Sequence, residues 1–316
     1  MSSRPSSFAL TTPGPLRLYS TDELLRLPPP TWLIQDTLPA GGLVALYGQP
    51  GCGKSFVAID MALSVAAGGF WQGRPVAQGY VLYVSAEGGS GIGKRARAWL
   101  DVRGLQGRDA PVAWLLQALS VYGDSNDLEL LMGRIHDEVE RYPTLIIIDT
   151  LARCFDGNEN EQEDMGRFIK GVDLLRTELG SAVLVVHHTR LDGERERGNT
   201  AFRGACDTMM ALERKGGMTL SCTKQKDAEE FKPIALRLRT VPGTDSCAIG
   251  LSRAQATETK QDSILDVLTE KGSLTTDEWL GLMRSHDMPK STFHRHLVRL
   301  RKSGQIIRKN GQWEVD

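Results

Sequence analysis

No stretch of the 316 residues approaches the ~18 consecutive apolar residues of a membrane-spanning helix, and the N-terminus lacks the apolar core of a secretory signal. A cytoplasmic protein with no membrane partner is expected. The five cysteines, at 52, 154, 206, 222 and 247, form no CxxC pair and no metal-ligand spacing. Odd in number and widely scattered, they are expected to be reduced thiols rather than a disulfide framework. An excess of charge of one sign is also missing. Lys and Arg total 38 against 39 Asp and Glu, a formal net charge of −1, so polyanions cannot be bound by gross charge and only local patches could hold them. With 41% hydrophobic and 24% charged residues the chain is an ordinary globular one, long enough for about two domains.

What is present is concentrated at Gly48-Gln49-Pro50-Gly51-Cys52-Gly53-Lys54-Ser55, which follows the apolar run Leu43 to Tyr47 and leads into a helical pattern from Phe56 to Ala67. This is the P-loop spelling in its required strand-then-helix context. Its glycines let successive N–H groups turn inward around phosphate oxygens at the positive end of the helix. The nucleotide-binding set is therefore residues Gly48 to Phe56, with Lys54 reaching the β and γ phosphates of ATP and Ser55 ligating Mg²⁺. Cys52 reads as a small filler, although a helix N-terminus can also activate a thiol.

Three further buried strands are expected. Tyr80 to Val84 is followed by Ser85-Ala86-Glu87-Gly88-Gly89, where Glu87 is placed to deprotonate an attacking water; alone it would read as a solvated loop residue. Leu145-Ile146-Ile147-Ile148 closes on Asp149, a carboxylate carried to the phosphate edge to hold the metal through water. Ala182 to Val186 ends in His187-His188-Thr189. Alternation lets only one of these histidines face the nucleotide, where it would sense the γ-phosphate; the alternatives are a satisfied strand-end histidine and a zinc site that lacks a nearby third ligand. Amphipathic helices are expected at Leu128, Leu131, Ile135 and Val139, and at Met165, Phe168, Ile169, Val172, Leu175 and Leu179. Cys154 to Asp164 reads as a solvated loop. So does the stretch 190–204, with four arginines, three acids and three glycines; it could instead meet a polyanion or a neighbouring subunit. Short strands at Thr208 to Leu212, Thr219 to Thr223 and Ile234 to Val241 have no helix-length gaps, so the sheet is expected to change there from parallel to antiparallel.

Taken together, TWLIQDTLPAGGL at 31–43, GQPGCGKS at 48–55, Glu87, LIIIDT at 145–150, VVHHT at 185–189, RGACDTMMALER at 203–214 and CTKQKD at 222–227 resemble the RecA-like family of ring-forming ATPases, most closely the RepA type of plasmid and phage helicase. The resemblance covers about residues 31–250. It implies an α/β fold with a mostly parallel twisted sheet, antiparallel strands at its C-terminal end, and a homo-oligomeric ring, a hexamer, acting on single-stranded DNA. It makes Glu87 the catalytic base and one of His187 and His188 the sensor. Lys224 and Lys226 would reach into the neighbour's nucleotide site, where related helicases commonly carry Arg; Arg203 competes for that role, and surface lysines in a hairpin are the plain alternative.

The expected domains are an N-terminal arm (1–30), rich in Ser and Pro with one short helix at Thr21 to Leu27, an ATPase core (31–252), a polar linker (253–260) and a C-terminal unit (261–316). In that unit one helix begins at Ile264, Thr276 with Asp277 and Glu278 caps a second, and a third begins at Lys290, before a hairpin turning at Asn310-Gly311. The order resembles a small α+β winged-helix domain. From His286 to Lys309 seven Lys or Arg face one Asp, a local +6. Lys290, Ser291, Thr292, His294 and Arg295 would enter a major groove of duplex DNA, with Arg299 further along the helix and Arg308 and Lys309 tracking phosphates. Docking of a protein, or packing within the ring, is the alternative. For the whole chain two rivals to a ring helicase stand: a DNA-bound regulator that ATP switches, and a filament-forming recombination mediator.

Overall fold

The computed structural model describes residues 18–27, 29, 31–87, 89–105, 110–138, 141–159, 161–188, 200–251, 264–265, 267–269, 271–284, 288, 290–302, 305–309 and 311–315. The arm before Leu18, Gly88, Val139, most of the stretch 190–204 and the linker 253–260 lie outside them. The chain divides into two compact units, Met1–Gly250 and Leu251–Asp316.

The first unit is built on a nine-stranded sheet in the order β13-β12-β11-β10-β3-β9-β8-β6-β7. Its strands are β3 (Leu43–Gly48), β6 (Val81–Ser85), β7 (Val112–Leu115), β8 (Leu145–Asp149), β9 (Ala182–His188), β10 (Thr208–Arg214), β11 (Met218–Gln225), β12 (Ile234–Val241) and β13 (Ser246–Leu251). From β10 through β3, β9, β8 and β6 to β7 every pairing is parallel, whereas β10, β11 and β12 pair antiparallel. The mixed architecture follows from the connections. The parallel strands are unbroken apolar runs that need both faces covered, and the helices between them provide the cover. Beyond β10 the links are too short for a crossover, so the chain can only turn back on itself.

Helix α2 (Lys54–Ala67) buries eleven of its fourteen residues and packs against β3, β6 and β8. The opposite face carries Leu43, Ala45 and Tyr47 of β3, which join Leu128, Met132 and Ile135 of α4 (Asn126–Glu138) and Met165, Phe168, Val172 and Leu175 of α5 (Gln162–Leu179) in one apolar cluster. Each fully buried Leu, Ile or Val there contributes about 1.5–3 kcal/mol.

Several elements differ from the sequence reading. Thr200–Ala205 is a short helix, α6, rather than part of a loop, because Phe202 is buried in the α5 cluster and pins it. Cys154 and Phe155 are buried in that same cluster, so the solvated segment expected from Cys154 is shorter and gives way to α5 at Gln162. The arm helix α1 ends at Leu25, two residues early; Ser20 and Glu23 close its N-terminus as a capping box. In the four-stranded sheet of order β2-β1-β5-β4, β1 (Trp32–Ile34) falls in TWLIQDTLPAGGL, which reads as an entry strand and a Gly-rich turn, whereas β2 (Leu38–Pro39), β4 (Gly69–Trp71) and β5 (Arg74–Val76) had no clear periodic signal. Nor had α3 (Ile92–Arg103). This sheet and α3 are tied to α2 by Asp60, whose buried carboxylate accepts from Trp71 Nε1 (2.8 Å), Gln72 Nε2 (2.8 Å), Trp99 Nε1 (2.7 Å) and Arg103 (3.2 Å).

The second unit has helical residues between 264 and 271, then α7 (Thr276–Arg284), α8 (Lys290–Lys302) and the antiparallel hairpin β14 (Ile306–Lys309) and β15 (Gln312–Val315). Ile264, Leu268, Trp279, Met283, Phe293, Leu300 and Trp313 belong to its own core. The cap of α7 is Thr275 rather than Thr276: Glu278 N–H donates to Thr275 Oγ1 (3.3 Å) and Glu278 accepts from Thr275 N–H (2.8 Å). Thr276 instead accepts from Trp313 Nε1 at 3.0 Å. No helix among the described residues is long and apolar enough to cross a membrane.

Candidate functional site

The P-loop joins β3, a central strand flanked by β9 and β10, to the N-terminus of α2. Gly48 admits no side chain, since a Cβ there would lie 2.4 Å from the Leu212 carbonyl oxygen. Gly51 and Gly53, at φ 75° and 108°, make the left-handed turns that bring the loop onto the helix axis. Gln49 and Pro50 are exposed, and Ser55 and Phe56 half-buried; the Arg95 guanidinium of α3 lies 4.6 Å from the Phe56 ring centre. Cys52 is buried beneath the loop, and that burial raises its thiol pKa, so it acts as filler rather than as an activated nucleophile. Lys54 is buried and donates to the carbonyls of Gly48 (2.8 Å) and Gln49 (2.9 Å), with His188 Nδ1 at 3.1 Å. Desolvation lowers its pKa, while Cys52, Asp149 and Glu87 act the other way.

Alternation along β9 separates the two histidines. Registered beside Tyr47, His187 falls on the α5 face, buried, its ring 6.1 Å from Phe202. His188 is registered beside Gly48 and faces the P-loop. Its other nitrogen, Nε2, lies 3.4 Å from Glu87 Oε1. That same oxygen accepts from Thr150 Oγ1 at 3.0 Å. Ala86 N–H donates to the Asp149 carbonyl at 2.7 Å, fastening the end of β6 to the end of β8 and bringing Glu87 beside Thr150. The Glu87 side chain is about half exposed, at 51%. The four strand ends thus bring Lys54, Asp149, Glu87 and His188 to one edge of the sheet.

Asp149 closes β8 and is buried; its Oδ2 accepts from Tyr83 OH at 2.6 Å. Its Oδ1 is also buried and has no hydrogen-bond partner among the described residues. Burial raises the Asp149 pKa, opposed by the Tyr83 hydrogen bond and the nearby Ser55 hydroxyl. Burial and the Asp149 charge in turn push the Tyr83 hydroxyl well above its ordinary range. An unsatisfied carboxylate oxygen beside a P-loop hydroxyl fits a hard divalent cation, so Ser55 and Asp149 are the residues that would hold Mg²⁺.

The other charged candidates stand elsewhere. Lys224 Nζ donates to the carbonyls of Arg203 (2.7 Å), Gly204 (3.1 Å) and Cys206 (2.5 Å), neutralising the C-terminal end of α6. Arg203 donates to the Thr223 carbonyl at 3.1 Å, and Lys226 pairs with Asp207 at 3.5 Å. Arg203 and Lys224 thus bind α6 to β11; Lys224 is half-buried, whereas Arg203 and Lys226 are exposed, Lys226 with 60% of its side chain.

In the second unit α8 buries Phe293, His296, Leu297 and Leu300 and exposes Lys290, Ser291, His294, Arg295, Val298, Arg301 and Lys302. Thr292 is half-buried, and Arg299 lies in the helix with its side chain outside the described residues. On the hairpin Arg308 lies 5.5 Å from the Trp313 ring centre and Lys309 pairs with Glu314 at 3.5 Å.

Sequence reasoning passed over Tyr83, Thr150 and Arg95. A tyrosine inside an apolar strand reads as core, and a threonine after the metal-side acid has no motif of its own. Arg95 could have been sought only as a cation on the helix following the Glu87 turn.

A glycine-turned loop at the start of a buried helix, a lysine within it, and an acid at the end of a neighbouring parallel strand define a P-loop nucleoside triphosphatase. The family model described as AAA domain matches residues 12–194, more than half of the chain, and the chain belongs to that family of ATPases. No curated protein matches the sequence. Nucleotide hydrolysis is the chemistry of such a domain, with ATP as the nucleotide.

Proposed function

We propose that the protein is a Mg²⁺-dependent ATP hydrolase that assembles into a ring of six and moves along single-stranded DNA, as a replicative helicase of the plasmid and phage type. The observation that carries the hydrolytic part is the chain of contacts Lys54–His188–Glu87–Thr150 along the ends of β3, β9, β6 and β8. The ring, the strand and the replicative role rest on the sequence resemblance.

In this reading the P-loop N–H groups and Lys54 bind the β and γ phosphates. Mg²⁺, held by Ser55 and Asp149, supplies neutralisation of phosphate charge. Glu87 accepts the proton of a water whose oxygen bonds to the γ-phosphorus as the bond to the β–γ bridging oxygen breaks. Thr150 fixes the Glu87 carboxylate. His188, between Glu87 and Lys54, registers whether the γ-phosphate is present. Lys226, Lys224 or Arg203 would supply a cation to the neighbouring copy. For Lys224 and Arg203 that role requires giving up the bonds to α6 and β11.

Steady-state ATP hydrolysis without DNA, with single strands and with duplex is the test. Single strands are expected to stimulate turnover. Lys54→Ala should abolish it, and Glu87→Gln should retain ATP binding while losing about 10²–10⁴-fold in rate. Equal rates for Glu87→Gln and wild type would sink the catalytic assignment. A rate indifferent to DNA would favour a second reading, an ATP-switched regulator docked on duplex DNA through a winged helix, which the exposed basic face of α8 supports.

A further inference from the structure

Two buried polar groups of this site are joined in a way that no motif prescribes. Tyr83 is fully buried in the middle of β6, and its hydroxyl reaches Asp149 Oδ2 at 2.6 Å. The register explains the contact: Tyr83 pairs with Ile147, and Asp149 is the next residue of β8 on the same face. On its other side Tyr83 is registered beside Trp114 of β7, the ring centres 5.0 Å apart and tilted by 35°. The phenol is thereby clamped between a strand neighbour and a carboxylate. A carboxylate held through one oxygen presents the other in a fixed direction, and the other, Oδ1, is buried with no hydrogen-bond partner among the described residues.

We infer that Tyr83 is a positioning residue for the metal: its hydroxyl orients Asp149 so that Oδ1 faces the divalent cation of the nucleotide site. This rests on the reading of Asp149 as a metal-side residue. A hydroxyl donor suits the task because it fixes the carboxylate without competing with it for the cation. Partners of this kind typically govern metal affinity by 10–100-fold when removed.

Tyr83→Phe keeps the ring and its stack on Trp114 and removes only the hydrogen bond. Full-length wild type, Tyr83→Phe and Asp149→Asn are titrated with Mn²⁺ in the presence of ADP, bound metal being read by electron paramagnetic resonance; ADP affinity is measured separately in EDTA. The expected result is roughly tenfold weaker Mn²⁺ binding for Tyr83→Phe, with metal-free ADP affinity unchanged and Asp149→Asn weaker still. If Asp149→Asn loses Mn²⁺ and Tyr83→Phe stays within about twofold of wild type, the positioning role is overturned while the metal reading stands. If Asp149→Asn binds Mn²⁺ as wild type does, the metal reading falls and takes the inference with it. A parallel loss of metal-free ADP binding in Tyr83→Phe would overturn the inference too, since it would make the hydroxyl a support of the whole fold.

Discussion

Adjacent in the chain, His187 and His188 lie on opposite faces of the sheet, and the difference fixes what each substitution should do. His188→Ala removes the group between Lys54 and Glu87, so ATP turnover should fall about 10²-fold with thermal unfolding unchanged. His187→Ala opens a hole beside Phe202 instead; it should cost roughly 1–3 kcal/mol in urea unfolding and leave the rate per folded molecule intact. Asp149 shows the opposite trade. Its folded pKa is raised by burial, so its contribution to stability is present below the unfolded value of 3.8 and is lost as pH rises through the folded value. Asp149→Asn, measured in EDTA, should therefore be more stable than wild type at neutral pH, by about 0.5–2 kcal/mol in urea unfolding, and the gap should close as pH falls toward 3.8. A gap that persists at pH 3.8 would mean that packing, not charge, is responsible.

At the scale of elements, α2 is held from two sides by one carboxylate. Asp60 accepts from two indoles, an amide and a guanidinium, so Asp60→Ala strands several donors in the interior at once. The loss should be about 3–5 kcal/mol in urea unfolding, with Asp60→Asn losing less. This clamp also marks the limit of what the chain spelled out. The P-loop, the apolar strands and the shift from parallel to antiparallel pairing were legible because each rests on a local pattern: a glycine spacing, an unbroken apolar run, a missing helix-length gap. The parity of β9 was legible as a rule, and only the register with Tyr47 and Gly48 decided which histidine faces the loop. The sheet of β1, β2, β4 and β5, the helix α3 and the pinning of α6 by Phe202 depend on partners far along the chain. Asp60, read alone, is a charged residue inside an apolar helix, and nothing near it in sequence names its two tryptophans.

At the scale of the molecule, two units with separate cores carry separable properties. Residues 1–250 alone should retain ATP hydrolysis, and if the exposed basic face of α8 docks on duplex DNA, that binding should be lost with the second unit. In the full chain, Lys290→Ala or Arg295→Ala should weaken duplex binding across sequences and lower the salt slope by about one. Unchanged duplex affinity in both variants would direct α8 toward a protein partner. The order of the large sheet has a consequence for synthesis. β3, the strand that ends in the P-loop, is made early, yet both strands that flank it, β9 and β10, come from 182–188 and 208–214. A nascent chain stopped short of residue 182 holds the complete P-loop sequence with neither hydrogen-bonded neighbour for its strand. About two-thirds of the chain must therefore be translated before the P-loop strand can have both its neighbours, and the loop alone, though made early, is not yet a nucleotide site.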